Sequence, residues 1–375
     1  MNAIRAACRA EIARIGRTRV DLLLLMLMPL LLLGAMAAML FAGSPYGLKT
    51  VIVDRDGGAL ARSIVRHIAA SHSVSIVART SDLDQAMAMI RSERAVAAVV
   101  IPRGVGTRVA DGAPVEIFHQ AVFLSTGALA ATNLRAVITA TLLAARAEDS
   151  GLAQAVALRV PLPGIAVTIL GNPTTSFEWY LGLLLGPGIL HLLIAVTCVS
   201  SIGALMEDHS FAAFARGTPA PVAVLIGRMV PHIVAGTLWG TLWLLWLTLA
   251  RGYRPEGSLM LIVVGLVLLF VATAALALLL VAATREVSTS LSGAVILAGS
   301  ALAYSGASLP LTGAGLFARV WSQILPLTHF MALQMDQVMG VAAMPFLRAG
   351  AVLMLYPLVA GGAGAWLIRR AGRRA

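Results

Sequence analysis

Residues 22–42 run for 21 positions without a charged side chain. An α-helix of that length rises about 30 Å, the thickness of a bilayer's hydrocarbon core. Backbone N–H and C=O groups find no water at that depth, so a run of this kind must be helical. Five further runs follow the same rule. Residues 179–206 carry His191 as their only acidic or basic side chain, and residues 229–250 carry only His232. Residues 259–284, 287–318 and 349–368 carry none. The run 287–318 is too long for one simple span and is interrupted by Gly306, Pro310 and Gly313. It reads as a span to about residue 308 followed by a broken hairpin, whose irregular backbone must be shielded by protein or water. The fold class is therefore an α-helical polytopic membrane protein with six transmembrane helices, at about 22–42, 178–203, 229–250, 259–283, 288–308 and 349–368.

The distribution of charge orients these spans. The chain is 59% hydrophobic and 12% charged, with a formal net charge of +11. Lys49 is the only lysine; the basic groups are otherwise arginines. Arg5, Arg9, Arg14, Arg17 and Arg19 precede the first run, and Arg369, Arg370, Arg373 and Arg374 follow the last. Clusters flanking spans follow the positive-inside rule rather than marking a nucleic-acid surface. Six spans place both termini on one side, here the cytoplasmic side of a bacterial inner membrane. The first run is too long, and its basic leader too extended, for a cleaved signal peptide. Within residues 1–21, Ile4, Cys8, Ile12 and Ile15 recur at helical spacing opposite most of the arginines, which predicts a cytoplasmic interfacial helix. Cys8 and Cys198 are too few and too far apart in kind to imply a disulfide framework.

Residues 43–176 have a different pattern. Residues 50–54 read as a strand, 56–58 as a turn and 59–70 as a helix. Val74 and Ile76 alternate with serines as a second strand, and Ser81 reads as the N-cap of a helix to about residue 92. Residues 95–101 form a continuous apolar run, a buried strand, and 115–118 a fourth. Gly127, Ala131, Leu134, Ile138, Leu142 and Ala145 form one stripe of a long helix. This is an inserted α/β extracytoplasmic domain with a long helix. The remaining organisation is a transmembrane domain over 177–368 with a broken outer hairpin at 309–345, then a basic cytoplasmic tail at 369–375.

Several chemistries lack their residues. Lys49 follows Leu48, so there is no Gly-Lys-Ser/Thr P-loop, and any ATPase must be a separate chain. The seven histidines form no metal-ligand spacing, and no Gly-x-Ser-x-Gly elbow occurs. No catalytic residue, metal or cofactor is expected. His191 and His232 are candidates for a translocation pathway, because ionisable groups inside a membrane are functional by default. The alternative for each is a neutral histidine bonded to a neighbouring helix's backbone carbonyl. The spans hold no acidic partner, which argues against proton coupling.

Motifs near both ends resemble the permease subunits of ABC-2 type ATP-binding-cassette exporters, in the group with a large extracytoplasmic domain after the first span. Arg9-Ala10-Glu11, then Arg17 to Asp21 and a leucine-rich span with Pro29, is similar to the family's opening, with Ala10 where a lysine is usual. Val51-Ile52-Val53-Asp54 resembles the first extracytoplasmic strand and Ile101-Pro102-Arg103-Gly104 an Ile-Pro-x-Gly turn. Asn172-Pro173 and Gly186-Pro187-Gly188 are similar to the approach to the second span. Tyr304-Ser305-Gly306, Leu309-Pro310, Trp321-Ser322 and Leu325-Pro326-Leu327-Thr328-His329 follow in the family's order and spacing. The loop after the second span departs from the family pattern, although Gly227-Arg228-Met229-Val230-Pro231 resembles one subgroup's Gly-Lys-x-x-Pro.

The resemblance implies an export permease moving a hydrophobic or drug-like substrate, driven by a separate ATP-binding ATPase subunit. It also implies a second permease copy or paralogue, and leaves open a periplasmic adaptor and outer-membrane channel. Glu11, Glu207, Arg216, Thr218 and Arg228 become the ATPase-coupling residues. Gly306, Pro310, Trp321, Pro326 and His329 become an outer gate. Two rivals remain: a membrane-anchored extracytoplasmic ligand sensor, and a lipid-acting enzyme built from Asp336, His329 and Glu178.

Overall fold

The computed structural model describes residues 2–43, 46–105, 115–119, 124–149, 171–172, 175–205, 211–306, 311, 313–341 and 343–374. It forms two compact units, Met1–Gly43 with Ile169–Ala375, and Ser44–Thr168. The first unit opens with α1 (Asn2–Arg17) and α2 (Arg19–Leu40). α1 buries Ala7, Glu11 and Ile15, one helical stripe, and leaves Arg5, Arg9 and Arg17 exposed.

The second unit carries strands β1 (Leu48–Asp54), β2 (Val74–Thr80), β3 (Ala97–Ile101) and β4 (Glu116–His119) in the order β2-β1-β3-β4. β1 runs parallel to β2 and β3, and β4 antiparallel to β3. Alternate residues of β1 serve opposite faces. Ile52 packs with Ile64 and Ile68 of α3 (Ala59–Ala70) and with Leu134 and Ile138 of α5 (Leu124–Asp149). Val51 and Val53 pack with Ala86 and Ile90 of α4 (Leu83–Arg91). Burial on both faces is why β3 and the Val51–Val53 stretch of β1 are continuously apolar. The cap of α4 is Asp82, one residue beyond the expected Ser81; its carboxylate accepts from the Asp84 N–H at 2.9 Å.

Among the described residues, seven helices are long and apolar enough to cross a membrane: Arg19–Leu40, Gly127–Ala145, Phe177–Gly203, Pro221–Ala250, Leu259–Thr284, Val287–Tyr304 and Met344–Arg373. The expectation of six sets aside Gly127–Ala145. That segment belongs to α5, whose Ala130, Leu134 and Ile138 are spent on the core beneath the sheet.

The rest of the first unit comprises α6 (Phe177–Gly203), α7 (Phe211–Gly217), α8 (Pro221–Ala250), α9 (Leu259–Thr284), α10 (Val287–Tyr304), α11 (Leu316–Ile324), α12 (Pro326–Val338) and α13. α13 runs Ala343–Tyr356, through a wide π-type turn at Pro357–Gly361, into Gly362–Arg374. α6 is the central helix. Gly186 lets the Trp243 indole lie against its backbone, where a Cβ would collide with Nε1. Trp243 Nε1 donates to Gly182 O at 2.8 Å.

At two of the prolines inside spans the lost helical donor is replaced by a neighbouring helix. Pro29 cannot donate to Leu25 O four residues back; α2 widens into a π-type turn at Leu23–Leu27, and Trp239 Nε1 of α8 donates to Leu25 O at 2.9 Å. Pro187 likewise cannot donate to Leu183 O, and Gln334 Nε2 of α12 does so at 2.7 Å.

Candidate functional site

The side chains near the start of α2, the end of α6 and the start of α8 gather around Glu11, which is fully buried. Arg14 Nε donates to both Glu11 oxygens, at 3.0 and 3.2 Å, and Nη2 to Oε1 at 2.6 Å. Arg14 Nη1 reaches on to Asp21 Oδ2 at 2.6 Å, bridging the break between α1 and α2. Arg228 Nη2 of α8 lies 2.6 Å from Glu11 Oε2, and His232 Nε2 3.1 Å from Oε1. Ser201 Oγ of α6 accepts from Arg228 Nε at 3.3 Å. Two carboxylates face two guanidiniums, so the cluster is self-neutralising, as buried charge requires. Burial pushes the Glu11 carboxyl up, but bonds from His232, Arg14 and Ser201 and the charge of Arg228 outweigh it and hold it below the usual carboxylate range. α1 reaches α8 this closely because Gly227 has no side chain; a Cβ there would collide with Ile4 O.

A second cluster ties the opposite ends of the same helices. Glu178, at the start of α6, is fully buried. Arg251, just beyond α8, donates from Nε to its two oxygens at 2.9 and 2.7 Å, and Tyr253 donates to Oε2 at 2.9 Å. The Arg251 guanidinium also lies over the Phe41 ring, 4.1 Å from its centre, beyond the end of α2. Gly43 O accepts from the N–H groups of Phe177 and Glu178. α2, α6 and α8 are thus clamped at both ends. Glu178 is committed to this clamp, which removes a carboxylate from the lipid-enzyme reading.

His191 stands apart. Thr273 gives its hydroxyl hydrogen to Leu269 O at 2.7 Å and so accepts from His191 Nδ1 at 2.8 Å. The adjoining cavity of about 20 Å³, lined by residues including Ala277, Ala294, Ala298 and Pro326, has room for a water molecule but not for a cargo. Among the described residues, neither histidine bonds a backbone carbonyl, the alternative drawn from the sequence; Thr273 and Glu11 are their partners.

The comparison with known proteins places this arrangement. Residues 20–366 match the family described as ABC-2 family transporter protein. The chain belongs to the ABC-2 transporter family. No curated protein and no solved structure matches it. It is a multi-pass membrane permease, a transport subunit whose family implies an ATPase partner and a bilayer.

Within the permease, three of the sequence candidates, Glu11, Arg228 and His232, come together. Arg216 and Thr218 lie elsewhere, at the end of α7, where Arg216 is exposed and donates from Nε to Ala212 O at 3.3 Å. Glu207 and Pro310 lie outside the described residues. Gly306 follows α10 with φ +80°, a conformation that favours glycine. Trp321 of α11 donates to Ser300 Oγ at 3.1 Å and stacks on Phe317. Pro326 opens α12, and His329 Nε2 lies 3.0 Å from Gln323 O. The two hairpin helices differ in depth. α11 exposes Leu316, Phe317 and Val320, whereas Leu327, Phe330 and Leu333 of α12 are fully buried. Sequence reasoning missed Arg14, Arg251 and Tyr253 as parts of a site, and it placed Glu178 only in the lipid-acting alternative, not in a clamp. Glu178, Arg251 and Tyr253 share one local signal, position: each lies close to the end of an apolar run, where a charge can meet another.

Proposed function

We propose that this permease is the membrane subunit of an ATP-binding-cassette exporter, moving a hydrophobic or drug-like substrate out of the cytoplasm or inner membrane. A separate ATPase docks at α1 and α7, and two permease copies, or this chain and a paralogue, form the pathway. Six of the seven apolar helices cross a bacterial inner membrane, both termini are cytoplasmic, and the unit Ser44–Thr168 is extracytoplasmic. The hairpin at 309–345 is the outer gate.

The observation that carries this reading is the burial of Glu11. An interfacial helix that merely floated on lipid would keep its carboxylates in water. α1 instead drives Glu11 between α8 and α6, so displacement of α1 must move those helices. Glu11 and Arg228 act as ties inside the permease, leaving the exposed α1 arginines and Arg216 to face the ATPase.

The test is co-purification of an ATPase with the tagged permease, followed by ATP-driven efflux of a hydrophobic dye in inverted vesicles. Glu11→Lys should retain the ATPase and lose efflux; efflux at the unmodified rate would overturn the reading. Orientation is tested with Arg62→Cys or Arg91→Cys and an impermeant maleimide in a protein lacking Cys8 and Cys198. Labelling of intact spheroplasts is expected; labelling only after lysis would reverse the topology.

A further inference from the structure

α7 lies between α6 and α8 in the chain, yet the element packed most closely against it is the end of α13. Phe214 is buried, and so are Ile368 and Ala371 on the facing part of α13. At Gly372 an added Cβ would stand 3.3 Å from Ala215 Cβ and 3.4 Å from the Ala215 carbonyl carbon and oxygen, so a residue without a side chain lets the two helices close. The chain link from α7 into α8 is of another kind. It passes through Gly217, with open space around it, and Ala220, held at φ +57°. Further along α13, Gly364 receives Leu278 and the Leu279 backbone of α9 at 3.1–3.4 Å from an added Cβ.

We propose that α7 and the end of α13 form one rigid platform for the ATPase, with Gly372 a positioning residue, and that motion at α7 enters the membrane through α13 and α9. The proposal rests on the reading of α7 as a docking element. Close-packed helices transmit displacement because their interfaces do not compress, whereas a link of single residues turns instead of pushing.

The experiment uses the permease–ATPase complex in a Cys8→Ser, Cys198→Ala background and reads two quantities, ATPase recovered and dye transported per ATP hydrolysed. Ala215→Cys with Gly372→Cys places two Cβ atoms near the roughly 3.8 Å that a disulfide spans. Oxidising this pair should leave both quantities as they are in the same variant when reduced, because the joined helices already move together. Gly372→Leu should keep the ATPase bound and lower transport per ATP about tenfold, within the usual range of coupling between sites; Gly372→Ala should give a smaller loss. Transport abolished by oxidation, or undiminished in Gly372→Leu, would overturn the platform. A complex that keeps its ATPase when 211–217 is replaced by a Gly-Ser linker would overturn the docking reading as well. Dependence on 211–217 with a silent Gly372 series would overturn the platform alone.

Discussion

Gln334 Nε2 donates to Leu183 O at 2.7 Å, supplying the hydrogen bond that Pro187 withholds. The bond joins α12, in the proposed outer hairpin, to the central helix α6. Gln334→Leu should therefore orphan a buried carbonyl, at a cost of about 1–3 kcal/mol. Adding Pro187→Ala restores a backbone N–H at that point and should recover much of the loss. Thermal unfolding in detergent, followed by tryptophan fluorescence, measures both variants; a double variant no more stable than Gln334→Leu would contradict the pairing.

Removing Glu11 leaves Arg14 and Arg228 facing each other without their shared carboxylate. Glu11→Ala should cost about 3–5 kcal/mol, as for other broken buried pairs. The same group gives an acid signature. Its carboxyl is held below its ordinary value of 4.5, so the unfolded chain takes up the proton first as pH falls. The stabilisation is complete above that value and is lost progressively below it. Melting temperature against pH should show this acid-side loss in the unmodified permease and less of it in Glu11→Gln.

The second clamp makes an independent forecast. Arg251→Met strands Glu178, which is fully buried, and should cost about 3 kcal/mol or more. Tyr253→Phe removes the hydroxyl that donates to that carboxylate beside Arg251 Nε and should cost about 1.5–3 kcal/mol, the usual worth of a bond to a charged group. Equal melting temperatures for both variants and the parent would show that the clamp contributes nothing.

Gly227→Val tests how α1 is seated. The new side chain would run into Ile4 O and approach Ala7 Cβ to 2.8 Å or less. α1 should be pushed off α8, and the half-buried Cys8 should react with maleimide severalfold faster. Unchanged labelling would mean that α1 rests elsewhere.

The hairpin is tested across the proposed dimer. Phe317→Cys lies on the exposed face of α11. In a protein without Cys8 and Cys198, oxidation that links two copies at this position should stop dye export, and reduction should restore it. Export that continues with the hairpins joined would make the hairpin a structural cap.

The amino-acid sequence by itself determined the helical, membrane-spanning class, because that depends on local properties: uninterrupted apolar length and the absence of water for the backbone. The strand and helix periods of residues 48–101 are equally local; Ile52 and Val53 face opposite layers simply because a strand alternates. Glu11 and Arg228 stood out through family resemblance, but as residues meeting an ATPase and not each other. Only the tertiary structure decided that they pair, that Glu178 takes Arg251, that Gln334 repairs the break at Pro187, and that α7 rests on Gly372. The spans draw most of their residues from Leu, Ala, Val and Gly, so hydrophobic pattern alone does not say which helix neighbours which. Helix order is set by where small residues such as Gly186 and Gly227 permit close approach, and by which buried charges and orphaned carbonyls then meet a partner.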